Sequence, residues 1–175
     1  MSSIEKSTEV DVPVRTAYNQ WTQFEEFPRF MEGVKEVRQL DPKRLHWRAE
    51  IGGKEIEWTS EITQQLPDER ITWRSTSGAY NAGAVSFEPL GPSRTRITLR
   101  IEYEPEGAVE TTGSALGLVS ARVSGDLARF KEFIENRGVE TGQWRGEIHG
   151  QSVMSGQEGT RESGAPLRTP RSQEP

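Results

Sequence analysis

The sequence predicts an α+β fold in which about seven antiparallel strands grip one long helix near the carboxyl terminus. Three observations predict it. Between Val34 and Tyr103, apolar and polar residues alternate in a series of short segments, the period of half-buried strands. Those segments are joined by short connections and each has one charged face, as in an antiparallel sheet covered on one side and wet on the other. From about Val109 to Glu135 the period changes, and Leu116, Val119, Val123, Leu127, Phe130 and Ile134 step by three or four along one helix face. No other segment is long enough to cover the sheet.

The elements follow in order. Ile4, Lys6, Thr8, Val10 and Val12 alternate with charged and polar residues, so a first strand runs to about Val12. Pro13 suits a first helical position, and Val14, Ala17, Tyr18 and Trp21 follow at helical spacing. Phe24, Phe27 and Phe30 repeat every three residues, with Pro28 breaking the second short helix that they imply. Val34 to Asp41 is a strand whose phase slips between Val34 and Val37, which suggests a bulge. Leu45, Trp47, Ala49 and Ile51 share one face of the next strand, and Gly52-Gly53 turns it into a hairpin. The following strand places Ile56, Trp58, Ser60, Ile62, Gln64 and Leu66 inward. Ile71, Trp73, Ser75 and Ser77 do the same after Pro67-Asp68, and then Gly83, Val85 and Phe87 after the Gly78–Asn81 turn. Thr95, Ile97, Leu99, Ile101 and Tyr103 complete the sheet.

In the long helix Arg122, Asp126, Arg129 and Glu132 read as the solvated face, and Gly138 can close the last turn in a left-handed conformation. Gly113, Gly117 and Gly125 each cost about 1 kcal/mol relative to alanine, so room on that helix is needed either for the packed sheet or for a ligand.

The 175 residues suit one domain with a tail. Hydrophobic residues make up only 32%, and the deficit lies beyond about His149, where Gly, Ser, Gln, Glu, Arg, Thr and Pro dominate. Residues 1–138 are therefore expected to fold, with 139–175 as linker and a disordered polar tail; Trp144 in the linker is a docking residue for the domain or for a partner. A net charge of −5, mixed along the chain, gives no general attraction for nucleic acid. With no cysteine there are no disulfides, thiolate metal sites or thiol nucleophiles. No apolar run approaches a membrane span and the amino terminus lacks a signal-peptide core, so the expected location is cytoplasmic.

The order of elements and several motifs resemble one family. Val12-Pro13-Val14 leading into Ala17, Tyr18, Trp21, Phe24 and Phe30 is similar to the opening of the polyketide cyclase/dehydrase and coenzyme Q-binding branch of the START-like (SRPBCC) superfamily. Trp73-Arg74-Ser75, Gly83 to Phe87 and Thr95 to Leu99 resemble its later strands. The resemblance spans about Ser3 to Gly138 and implies a helix-grip (START/Bet v 1-like) fold; the superfamily includes lipid carriers, ubiquinone-binding proteins and aromatase/cyclases.

The candidate site is the face between sheet and long helix. Trp47, Trp58, Trp73, Val85 and Phe87 point inward from the sheet, and Leu116 and Val119 face them from the helix. Phe24, Phe30 and Tyr80 are candidates for a lid or mouth. Ser60 and Ser75 are the inward polar groups that would hold the polar end of a ligand, since buried hydroxyls need partners. The same pattern also describes an ordinary core, large residues on one surface filling space left by small ones opposite. No catalytic residue is assigned. His46 and His149 lack a metal or triad partner, and there is no phosphate loop or nucleophile elbow; no metal or cofactor is expected. Binding of a hydrophobic small molecule (an isoprenoid quinone, lipid or polyketide-like aromatic) is the leading reading. The alternatives are a polyketide aromatase/cyclase or dehydrase in the same cavity, and a partner-binding module working through the tail. Oligomeric state is not legible.

Overall fold

The computed structural model describes residues 2–104 and 113–154. Strand β1 (Ser2–Val10) leads into helix α1 (Val14–Trp21) and a 3-10 helix (Phe24–Arg29). Strands β2 (Val34–Gln39), β3 (Arg44–Ile51), β4 (Lys54–Leu66), β5 (Arg70–Gly78), β6 (Asn81–Gly91) and β7 (Arg94–Tyr103) follow, and then helix α2 (Gly113–Arg137). Two short strands, β8 (Glu147–His149) and β9 (Ser152–Met154), come after it. The sheet runs in the order β1-β7-β6-β5-β4-β3-β2, with β8 pairing to the end of β4 and β9 to β8. All the pairings are antiparallel. This is the expected helix-grip arrangement.

Local chemistry explains the boundaries. The first strand ends at Val10 rather than Val12 because the Asp11 N–H turns away to donate to Glu135 Oε2 at 2.7 Å, and the Val12 carbonyl accepts from Thr95 Oγ1 at 2.9 Å. Pro13 caps α1 rather than occupying its first turn. The phase slip between Val34 and Val37 is a bulge at Val34/Glu36. Gly138 closes α2 with φ 74° while its N–H donates to the Ile134 carbonyl at 2.8 Å. Further register shifts were not foreseen: β4 slips against β5 at Thr59/Ser60 and again between Ile62 and Gln64, and β6 against β7 at Pro89/Gly91. Past the Ile62/Gln64 slip Gln65, not Gln64, takes the inward position and is fully buried.

The core divides along α2. Toward its carboxyl end, Leu127, Phe130 and Ile134 are buried against an aromatic cluster from α1 and the 3-10 helix. Phe130 lies 4.9 Å from Trp21 and 5.1 Å from Phe30, both edge-on, the preferred geometry for aromatic pairs. Toward its amino end the described part of α2 borders open space instead.

The chain does not leave the domain at Gly138. Glu140 and Gln143 accept from Asn19 Nδ2, and Gln20 exchanges two hydrogen bonds with Thr141. Arg145 pairs with Asp68 at 2.8 Å and donates to Asn19 Oδ1, while the Trp144 N–H donates to Thr22 Oγ1. Asn19 and Gln20 are fully buried by this segment, and Ile148 on β8 is fully buried too. The folded unit therefore extends to the β8–β9 hairpin. The expected tail beyond it, residues 155–175, lies outside the described residues.

Candidate functional site

A cavity of about 690 Å3 lies between the inner face of the sheet, the amino-terminal half of α2 and the 3-10 helix, within the range of small-molecule sites. Its walls are mainly apolar. Strands β3 and β4 supply Leu45, Trp47, Ala49, Trp58 and Ile62; β5 and β7 supply Ile71, Trp73, Leu99 and Ile101; α2 supplies Val119 and Val123. Phe24, Phe27 and Met31 close one end, held by the Phe24–Phe27 and Phe27–Trp47 ring contacts at 5.5 and 5.7 Å.

Two features shape the wall. Trp47 and Trp58 are direct cross-strand partners, with ring planes 7° apart and centroids at 5.6 Å. The Trp47 N–H is met locally: Nε1 donates to Ser60 Oγ at 3.0 Å. Trp73 lies flat over Gly83, its partner on β6; a Cβ there would come within 2.5 Å of Trp73 Cζ2 and 2.6 Å of the Arg100 carbonyl. Gly83 is thus the residue that lets an indole cover the neighbouring strand. Trp73 Nε1 donates to Asn81 Oδ1 at 3.3 Å.

Of the residues expected at the site, Phe24, Trp47, Trp58, Trp73, Tyr80 and Val119 line the cavity. Tyr80 stands at its mouth, 39% exposed, in the tight turn between β5 and β6. The structure puts the others elsewhere. Phe30 packs on Phe130 and Phe133, and Phe87 on Tyr18 and Trp21. Val85 is fully buried in the core cluster. Ser60 answers Trp47, and Ser75 Oγ accepts the Asn81 N–H at 3.1 Å, so neither serine faces the cavity. The Leu116 side chain lies outside what the structure describes, as do the surroundings of Gly113 and Gly117. Gly125 makes no room for the sheet: a Cβ there would meet only the Arg129 guanidinium.

Sequence reasoning left three polar residues out of the site: Asp126 and Arg122 for their charge, and Tyr103, though of inward parity, for its place at a strand end. Asp126 was assigned to the solvated face of α2, yet it lines the cavity with its side chain 12% exposed. The signal was present, since Asp126 continues the stripe Val119, Val123, Phe130 at helical spacing. Burial pushes its carboxyl above the usual range, against a hydrogen bond from Arg129 at 2.6 Å and another from the Glu32 N–H at 3.2 Å. Arg122, also expected in solvent, borders the cavity and donates to the Glu50 carbonyl at 3.1 Å. Tyr103 reaches the cavity from the end of β7. Its hydroxyl is sealed from solvent and has no hydrogen-bond partner among the described residues.

The cavity can enclose an apolar body and offers few polar contacts. Among the described residues no group of three His, Asp or Glu could hold a metal ion. No helix there is long and apolar enough to cross a membrane.

Comparisons with known proteins agree with this geometry. Residues 10–132 match the family described as polyketide cyclase / dehydrase and lipid transport. The chain is 48% identical over 149 residues to an uncharacterized 17.2 kDa protein in the melC2-rnhH intergenic region of Streptomyces lincolnensis, covering 85% of this chain and 99% of that one. Among solved structures it resembles the Zhui aromatase/cyclase from Streptomyces sp. R1128, with a TM-score of 0.68 at 16% identity, over 78% of this chain and 94% of that one. It also resembles a START superfamily protein from Mycobacterium smegmatis, with a TM-score of 0.63 at 20% identity, over 77% and 95%. At such identities the two structures establish the fold alone.

Proposed function

This chain belongs to the polyketide cyclase / dehydrase and lipid transport family, and on that premise we propose that it holds a hydrophobic small molecule between its sheet and α2. The observation that carries the reading is the apolar cavity of about 690 Å3 lined by four indoles, those of Trp21, Trp47, Trp58 and Trp73. Burial supplies the affinity: at ~25 cal/mol per Å2, enclosing ~300 Å2 of apolar ligand surface is worth up to about 7 kcal/mol before ordering costs. The parallel, stacked Trp47–Trp58 pair favours a ligand with a planar ring, such as the head of an isoprenoid quinone or a polyketide-like aromatic, over a plain lipid chain. N-phenyl-1-naphthylamine tests it. Saturable binding is expected, with energy transfer from tryptophan, and Val119→Trp should fill the space and abolish it while the fold stays intact. Absence of saturable binding by the wild type would overturn the reading.

A second reading, an aromatase/cyclase or dehydrase working in the same cavity, is favoured by Asp126. Burial raises its carboxyl from the ordinary value beside an apolar space, which is the direction that proton transfer near neutral pH requires. Turnover of a linear poly-β-ketone analogue that vanishes in Asp126→Asn, with ligand binding retained, would support this reading; no turnover by the wild type would count against it.

A further inference from the structure

We infer that Arg122 on α2 is the anion anchor of the cavity, binding an acid group such as a carboxylate carried by the apolar molecule. This rests on the reading of the cavity as a ligand site and names the kind of ligand that the site selects.

The first observation is where the guanidinium lies. Arg122 lines the cavity between Val119 and Asp126 at helical spacing. Its head rests on Gly33, which lines the same cavity; a Cβ there would overlap Nη1 and come within 3.0 Å of Cζ. A glycine at that position thus gives the guanidinium its seat at the cavity wall. The Glu50 carbonyl holds it, accepting from Nη1 at 3.1 Å, and the Glu50 N–H donates to the Gly33 carbonyl at 2.7 Å. One of the five guanidinium N–H groups is used in this way. Among the described residues Nε and Nη2 bond to nothing, and unlike the Tyr103 hydroxyl neither is sealed from solvent. The fork is fixed in place with accessible donors left over.

The second observation is charge. The partner that Arg122 does have is a neutral carbonyl, and among the described residues it makes no ion pair. Asp126, one turn on, spends its carboxylate on Arg129 at 2.6 Å and on the Glu32 N–H at 3.2 Å, with Arg122 acting on it only at longer range. Lys54 and Glu104, the other charged residues of the lining, are exposed and opposite in sign. A half-buried cation therefore borders an apolar space with no anion in contact. A carboxylate can accept two parallel N–H bonds from such a fork, and that pairing offsets the hydration both charges lose.

The neighbouring wall sets how the ligand lies. Ala49 precedes Glu50 and shares the inward face of β3 with Trp47. Successive inward residues of a strand are about 7 Å apart, so the small Ala49 side chain spans the interval between the stacked Trp47–Trp58 pair and the guanidinium. A ring at the indoles carries its acid group across Ala49 toward Arg122.

Two probes that differ by one acid group test the anchor. 1-Anilinonaphthalene-8-sulfonate is N-phenyl-1-naphthylamine with a sulfonate added, and only the part of its binding that N-phenyl-1-naphthylamine displaces is counted. In Arg122→Gln the preference for the sulfonate over the neutral probe should fall about tenfold, while the neutral probe keeps its affinity. Arg122→Lys keeps the charge without the fork and should fall between the two. An unchanged preference in Arg122→Gln, or a wild type that takes up the neutral probe alone, would overturn the anchor and leave the cavity reading intact. Equal loss of both probes in Arg122→Gln would also overturn it, by showing that Arg122 only fastens α2 to the sheet. If the wild type binds neither probe, the cavity reading falls and the anchor with it.

Discussion

The Trp47 indole N–H donates to Ser60 Oγ at 3.0 Å, and the same indole stacks on Trp58 at 5.6 Å. Ser60 is fully buried, so one hydroxyl orients the stacked pair that walls the cavity. Ser60→Ala should cost about 1 kcal/mol, the net worth of an ordinary hydrogen bond. Urea unfolding measures that loss, and near-ultraviolet circular dichroism should change as Trp47 loosens. Probe affinity should fall only slightly, because the serine does not face the ligand space.

At Gly83 backbone and indole approach closely. In Gly83→Ala the new methyl meets both Trp73 and the immovable Arg100 carbonyl. Overpacking of this kind costs about 1–3 kcal/mol. The indole should be driven toward the cavity, so uptake of N-phenyl-1-naphthylamine should weaken along with the midpoint of urea unfolding.

Ile148 tests the end of the folded unit. It is fully buried on β8, ten residues past the glycine that closes α2. Ile148→Ala should destabilise the protein by about 2–5 kcal/mol, the usual range for emptying a core position. A loss under 0.5 kcal/mol would mean that the segment after Gly138 contributes little to the fold.

Tyr18 predicts an alkaline limit. Burial pushes its phenol up to about 12, against a hydrogen bond from Gln65 and the positive charge of Arg145. The folded value lies above the unfolded value near 10, so the contribution is fully present below pH 10. It is lost as pH rises from there through 12, a change of about 3 kcal/mol. Denaturant unfolding as a function of pH should show this decline, and Tyr18→Phe should flatten it. Absorbance at 295 nm should lose its highest-pH phenolate step in the same variant.

Much of the fold was legible because periodicity reports which side of an element is wet. The alternation of Leu45 to Ala49 and of Thr95 to Ile101, the bulge implied by Val34 and Val37, and Gly138 at the helix end all appear in the structure where the pattern puts them. Periodicity fails where one residue resets the phase. The slip at Ile62/Gln64 turns Gln65 inward to meet Tyr18, and no residue type announces it. It fails again where chemistry is read in place of spacing: Asp126 was assigned to solvent for its charge, although its position in the Val119–Phe130 stripe placed it inside.

The segment after Gly138 escaped for a different reason. Its polar residues cannot form a core by themselves, so composition describes them as solvated chain. Asn19, Gln20, Thr22 and Asp68 gain partners when that segment returns across more than 70 residues of sequence. By itself, then, the sequence determined the order of the elements, the inward parity of the three tryptophans and the family. Tertiary structure alone decided that the serines are spent on the fold and that the two surfaces stand apart where Leu118 to Asp126 of α2 face the sheet. An alternating pattern records which way side chains point; whether they touch depends on the distance between surfaces, which is set by residues far apart in the chain.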